Sequence, residues 1–548
     1  MRKPDRFKLR TALAMAAGLA LCVGTRAQAQ IDTDVPGGHL KVQTSLETDW
    51  GFHTAGEDNR NNNNNNIPGS GQALSTNGDV IQAGVLRADP LITYRLNNDT
   101  AQALFVDNAD VYIHGRYWAD LAQFINGPRV YEVGQGTYST PGVAHYPGDG
   151  WSARISEHEY EADAAEAYID LRKGPWALRL GKQQVVYGEE LGVQTLDQVD
   201  SLDFTKFNSF EIASLEYSDM RIGEWTAKLS YQLPDMLDGN LSNSLLTGFI
   251  SPDFQPDYFI GLGSQMNDVP AFEKIGDYGN LRRARNKIVY GAVVTTTAYG
   301  FDLSANFYST PDHVGWFSLA PVANPFPADP QTGIPFLFPG DPTPRDFMLQ
   351  RRFSREFIYG GSISYTMPAS LDFPGGGLLA GDIFHYSVAY TPHASFTGSR
   401  TVLITGKPTK IGDLNMTLDM EKYWRWTQHF PSVYLLGEYN YESRHAPVSF
   451  VYMPSAGHHS INTVVLSATQ PLPANIWSLA MTAICDTNVG GNWFLQPAVT
   501  YKPTSSQEYD IYWNFDEGTV VDTTKHVGSK LGSFSWIDAV YLRAVYKM

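Results

Sequence analysis

The chain is 548 residues long and carries 57 Asp and Glu against 40 Lys and Arg, a formal net charge of -17. An acidic balance of this size excludes a nucleic-acid partner, which requires clustered positive charge, and two cysteines in so long a chain exclude a disulfide scaffold. Aromatic residues at 13%, with 30 Tyr, together with 49 Gly, describe a chain rich in strand formers and tight bends.

Arg2, Lys3, Arg6, Lys8 and Arg10 form a basic head, Thr11 to Val23 is small and apolar, and Ala27-Gln28-Ala29 offers a cleavage site. This is the pattern of an export signal over residues 1–29, with Gln30 as the expected mature start. Leu21 before Cys22 is too large for a lipobox, and the apolar run is shorter than the roughly 20 residues of a spanning helix, which leaves an uncleaved anchor as the lesser alternative. Residues 1–29 hold a net +5, so the remainder carries about -22. Cys485 is then the single mature cysteine, and no later run is apolar enough to span a bilayer as a helix.

The mature chain is a succession of segments with period-two alternation. Leu40 to Trp50 reads as the first strand, and after it comes a polar stretch with the run Asn61 to Asn66, read as a flexible surface loop. Val85 to Tyr94 is a weaker strand that contains Pro90, and Ala109 to Leu121 a clear one. Ala165 to Glu190 is a hairpin about Lys173-Gly174-Pro175: Ala165, Ala167, Ile169 and Leu171 share one face, Glu166, Tyr168, Asp170 and Arg172 the other. Leu191 to Asn208 reads as a loop, Phe210 to Tyr217 as a short strand, and Trp225 to Leu233 as the next. Pro234 to Asn286 keeps no period.

The rhythm resumes at Ile288 to Thr296 and Phe301 to Ser309, then breaks at a Pro- and Phe-rich insertion, Pro311 to Arg355, readable as a rim loop or as a plug. Further strands are expected at Phe357 to Tyr365, Leu378 to Tyr390, Asp413 to Trp426, Val433 to Tyr441, Ile461 to Thr469, Ile476 to Cys485, Trp493 to Lys502 and Glu508 to Phe515. The last, Val540 to Met548, puts Leu542, Ala544 and Tyr546 on one face and Tyr541, Arg543 and Val545 on the other. Many strands, connections alternately short and long, and no spanning helix predict an all-β fold: one large antiparallel transmembrane barrel over residues 30–548, of about 18 strands with 16 as the alternative. Long outer loops are expected near 51–83, 123–157, 234–286 and 310–355.

Glu166-Ala167-Tyr168-Ile169-Asp170, Leu178-Arg179-Leu180-Gly181-Lys182-Gln183 and Gly188-Glu189 resemble the repeated signature of a family of large Gram-negative outer-membrane proteins, the domain of unknown function 1302, and Asn492 to Pro503 is similar to its penultimate region. Lys182 and Tyr187 stand where the family pattern has Arg and Trp. The resemblance implies an outer-membrane location and an association with envelope systems that move hydrophobic compounds.

If the apolar phase meets lipid, the opposite phase lines water. The lumen-lining candidates are Asp110, Arg116, Asp120, Glu166, Asp170, Arg172, Arg179, Lys228, Glu421, Arg425 and Glu438, with Asp302, Asp419, Glu442, Glu508, Asp510, Asp516 and Arg543 in the same phase. Carboxylates prevail, which predicts a mild cation preference, and Glu166 and Asp170 lie across a hairpin from Arg179, a geometry for ion pairing. These charges read as a network stiffening the wall or as a selectivity constriction. No nucleophile elbow and no zinc-binding helix motif occurs, and His458-His459 and Asp486-Thr487-Asn488 lack ligand spacing, so no catalytic residue, metal or cofactor is expected. The reading is therefore a channel or transport protein for small or hydrophobic compounds in the outer membrane, against an enzyme with a loop-built site or a sealed structural or adhesive barrel. Expected partners are outer-membrane lipid and lipopolysaccharide, the barrel-assembly machinery through the last strand, and an envelope transport system.

Overall fold

The computed structural model describes residues 30–54, 81–121, 132–133, 136–137, 160–188, 195–203, 220–257, 287–313, 315–319, 349–368, 381–396, 407–443, 460–487, 492–517, 521–522, 527–528 and 539–548. Alternation is realised as strands throughout. In chain order the wall consists of β1 (Gly38–His53), β2 (Ile81–Leu96), β3 (Asn108–Asp120), β4 (Tyr160–Lys173), β5 (Trp176–Gln183), β6 (Glu224–Gln232), β7 (Leu241–Ser251), β8 (Val289–Ala298) and β9 (Phe301–Pro311). It continues through β10 (Arg355–Thr366), β11 (Ile383–Phe396), β12 (Thr409–Trp424), β13 (Val433–Ser443), β14 (Ile461–Pro471), β15 (Trp477–Asp486), β16 (Asn492–Thr504), β17 (Gln507–Glu517) and β18 (Ala539–Lys547).

Each strand pairs antiparallel with the next, and β18 pairs with β1 from Ser45↔Lys547 to His53↔Ala539, so the sheet closes on itself as an 18-strand barrel. The short strand Ile31–Val35 folds back through Pro36-Gly37 onto Gly38–Val42 of β1, covering the edge that β18 leaves below Thr44. Closure matters in hydrocarbon because an open edge would leave backbone N–H and C=O groups unsatisfied.

The expected rhythm of connections is present. Two-residue turns join β4 to β5 and β8 to β9, while the connections at the opposite end are long except for residues 487–491 between β15 and β16. Tyr299 (φ 52) and Gly300 (φ 84) both adopt positive φ, the mirror-image turn whose twist matches the strands it joins. Pro90 lies inside β2, and the β2–β3 ladder passes over it between Ala88↔Tyr117 and Leu91↔His114; a Cβ on Gly115 would sit 3.0 Å from its ring.

Some expectations are corrected. Residues 234–286 are not one long loop, because β7 lies within them. Phe210 to Tyr217 lies outside the described residues, and the ring closes without it, since β5 pairs directly with β6. The count of 18 thus holds with one strand exchanged for another. The strand expected from Leu378 begins at Ile383 and runs on to Phe396, and the loop expected over 51–83 is narrower, since β1 reaches His53 and β2 starts at Ile81. The signal segment, the Asn run, His458-His459 and the core of the Pro- and Phe-rich insertion lie outside the described residues.

The two faces divide as amphipathic alternation demands. Leu180, Leu229, Ile250, Val294, Ile363, Leu418, Leu466 and Ile511 are exposed around the outside, whereas Gln183, Ser309, Ser387, Thr417, Asn440, Gln496 and Asn514 are buried within. An exposed apolar belt around a polar interior is stable only with lipid against the belt. The architecture is that of an outer-membrane barrel. A ring of 18 strands encloses more space than wall side chains fill, so what occupies the lumen decides function.

Candidate functional site

Beyond β5 the chain turns inward. Residues 185–188 and 195–203 form a strap against the inner wall, and its described contacts fall on β7 to β13, on the residues that follow β7 and β9, and on residues 220–222 just before β6. Val185, Leu196 and Val199 pack into one apolar cluster with Phe249 of β7, Val289 and Val293 of β8, Tyr308 of β9, Ile358 of β10 and Ala389 of β11; Phe254, Phe353 and Tyr187 complete it. Burial of these side chains supplies the docking energy. Gly360 is required by the fit: a Cβ there would lie 2.6 Å from Leu196 Cδ2.

Polar contacts fix the strap at both ends. Val185 N–H donates to Asp200 Oδ2 at 2.6 Å, and Leu202 N–H to Asp257 Oδ1 at 2.8 Å. His313 places Nδ1 2.6 Å from Ser201 Oγ and Nε2 3.1 Å from the Gln198 carbonyl. At its far reach Thr195 hydrogen-bonds Thr417 of β12, to which Asn440 of β13 also donates at 2.9 Å. Asp197 is paired with Arg221. Burial pushes the Asp197 carboxyl up to about 6 against the pull of Arg221, and pushes the enclosed Asp200 well above the ordinary range, with Asp197 beside it adding to the rise.

Most of the charged residues read from the sequence lie on the inner face, though in different surroundings. Asp170 and Arg179 form a two-pronged pair at 2.7 and 2.8 Å, with the guanidinium 4.0 Å over the Tyr168 ring. Register extends them into a row, Asp110↔Asp170↔Arg179↔Lys228, and Arg95 joins Asp110 at 2.8 Å. Glu166 accepts Gln184 N–H at 3.1 Å and so bears on the strap's departure. Arg116 pairs with Asp163 at 3.0 Å. Glu438 stands directly across from Asp419, and Glu421 accepts from Tyr434 at 3.1 Å.

Arg172 is exposed at the mouth formed by the short turns. Arg425 stands just past the end of β12 at Trp424 and not on a strand of the wall; its guanidinium donates to the Gln428 carbonyl at 3.3 Å within a short turn. Asp120 ends β3 opposite Val85, and its side chain, like that of Asp516, lies outside the described residues. No group of His, Cys, Asp and Glu able to hold a metal occurs among the described residues.

The strap itself escapes the sequence reading, in which Leu191 to Asn208 is an ordinary connection. Its signal is present nonetheless: Leu196, Val199 and Leu202 recur every third residue in an otherwise polar stretch, and all three are buried.

The model of the family described as protein of unknown function (DUF1302) matches residues 10–505. The chain belongs to that family. No curated protein sequence matches it. Among solved structures the DUF1302 chain is similar to OccK9 of Pseudomonas aeruginosa, at 9% identity over 93% of this chain and 97% of that one, TM-score 0.43. Similar values hold for OccAB3 of Acinetobacter baumannii, at 9% identity over 93% and 99%, TM-score 0.43. OmpF of Salmonella typhi, solved in complex with daunomycin, gives 10% identity over 94% and 100%, TM-score 0.39.

Proposed function

We propose that this DUF1302 barrel is a passive outer-membrane channel for small water-soluble solutes, narrowed on one side by the strap. The observation that carries the reading is the docking of the strap on β7–β13 of a closed 18-strand wall. The cluster and the Thr195–Thr417 bond lay the strap against that side of the wall. A polar, charge-lined face opposite a docked segment is suited to hydrated solutes, and it favours them over the hydrophobic compounds that the family resemblance also implied. In this reading lipid and lipopolysaccharide surround the apolar belt, and β18 is the strand offered to the assembly machinery.

Reconstitution of the folded chain in planar lipid bilayers tests it. Stepwise, ohmic conductance is expected. A folded chain that inserts without conductance would overturn the reading, and hydrolysis of a lipid or peptide by such a chain would favour an enzyme in its place.

A further inference from the structure

The inner wall beside the strap carries uncharged polar side chains at one level. Across six adjacent strands, register sets Thr295 of β8 opposite Ser304, Ser304 opposite Ser362, Ser362 opposite Ser387, Ser387 opposite Thr417, and Thr417 opposite Asn440 of β13. Strand alternation puts all six on the inner face. Ser304 and Ser362 are hydrogen-bonded at 2.7 Å, and the far end of the row receives Thr195 of the strap.

At the β8–β10 end the wall and the strap leave a cavity of about 240 Å³. Thr295, Ser304 and Ser362 line its middle, Asn306 and Val293 one side, Asp302 and His385 the other, and Tyr187 reaches it from the strap. The Tyr187 hydroxyl is itself fully buried, so the cavity meets the rest of that side chain and not its oxygen.

The lining selects a chemical class. Hydroxyls both donate and accept, so a row of them answers a ligand whose own groups do the same. An anion would meet Asp302 and, further along, Asp419 and Glu438. A cation would find one nearby carboxylate, already engaged by Thr297 Oγ1 at 2.7 Å. An apolar molecule would strip water from the hydroxyls and return nothing. The volume lies below that of sites for drug-sized ligands.

We propose that this niche is a binding subsite for an uncharged polyhydroxyl solute of monosaccharide size, held by the Thr295–Ser304–Ser362 row. It deepens the channel reading, on which it rests for the solute's route but not for the binding itself.

Titration calorimetry of the folded full-length barrel in detergent with D-glucose tests it, alongside current recordings in bilayers with glucose in the bath. Saturable glucose binding and a saturable reduction of current are expected. Thr295→Val and, separately, Ser362→Ala are expected to raise the half-saturating glucose concentration about fivefold each, the loss of one hydrogen bond of ordinary net strength. Their folding is checked by heat-modifiable mobility. Normal current steps with no saturable glucose binding, or equal affinity in wild type and both folded variants, would overturn the subsite and leave the channel standing. Saturable binding to a barrel that never conducts would do the reverse.

Discussion

Arg543 on the last strand places Nη2 3.1 Å from Glu47 Oε2 on the first strand and Nη1 2.8 Å from Asp510 Oδ2 on the strand before it. One guanidinium therefore ties together the three strands that meet where the barrel closes. Tyr512 and Tyr541 stack beside it at 4.8 Å, and Tyr512 donates to Asp49 at 2.7 Å.

Removal of this cation leaves Glu47, Glu508 and Asp510 crowded at the seam. Arg543→Met is expected to destabilise the folded barrel by about 3 kcal/mol, the lower end for breaking a buried ion pair because lumen water reaches Glu47. Arg543→Lys, which keeps the charge but loses the fork, should cost less. The urea midpoint for loss of the heat-modifiable form measures both; a midpoint unchanged in Arg543→Met would contradict the assignment.

Gly360 meets the strap from the wall side. In Gly360→Val the added carbons collide with Leu196 Cδ2, and with the backbone oxygen of Val388 3.0 Å from the Cβ position. The flexible side chain and its loop yield before the strand does, at a cost of about 1–3 kcal/mol. Larger and noisier single-channel conductance is the expected outcome, with the barrel still folded. The same conductance as wild type would mean that the strap does not narrow the path.

The features legible in the sequence are those in which the strand period acts alone. Glu166 to Gln183 alternates because one face meets lipid and the other water, and its hairpin and the Asp170–Arg179 pair derive directly from that alternation, whereas Ala165, expected to share the face of Ala167, falls in a bulge and is buried. β7 is hidden for a physical reason. Its register shifts between Ser242 and Leu245, with Asn243 at φ 53, and its inner face carries Phe249 because the strap, not water, covers it. A large apolar side chain on the inner face, set between Thr247 and Ser251, blurs the period. Arg425 is misplaced when the alternation of β12 is carried one residue past its end at Trp424. The hydroxyl row is a property of register across six strands, and no single strand displays it.

Carboxylates on β12 and β13 set the electrostatic sign of this side of the lumen. Asp419 and Glu438 face each other across β12 and β13, with Glu442 farther along the same inner face. Cations should therefore outnumber anions in the current, and the reversal potential in a potassium chloride gradient should sit on the potassium side. Glu438→Gln should move it toward zero, and the effect should fade as salt rises and the Debye length shrinks to about 3 Å near 1 M. A reversal potential on the chloride side would reject the assignment.

The strap should also respond to pH. Asp197 is pushed up to about 6 when docked, and the enclosed Asp200 is raised in the same direction, whereas in an undocked strap both return toward the ordinary value of about 3.9. The docked form then binds more protons, so linkage makes docking fully favourable below about pH 4 and weaker as pH climbs through 6. Arg221 opposes this by pairing with Asp197, and Asp257 adds a further carboxylate against Leu202 N–H. Conductance is expected to be smaller and steadier at pH 5 and larger at pH 8. In the double variant Asp197→Asn, Asp200→Asn the dependence should flatten. His313 is bonded to Ser201 and Gln198, and His313→Gln separates its share. A conductance that instead falls from pH 5 to pH 8, or a double variant that keeps the wild-type profile, would show that these two carboxyls do not govern docking.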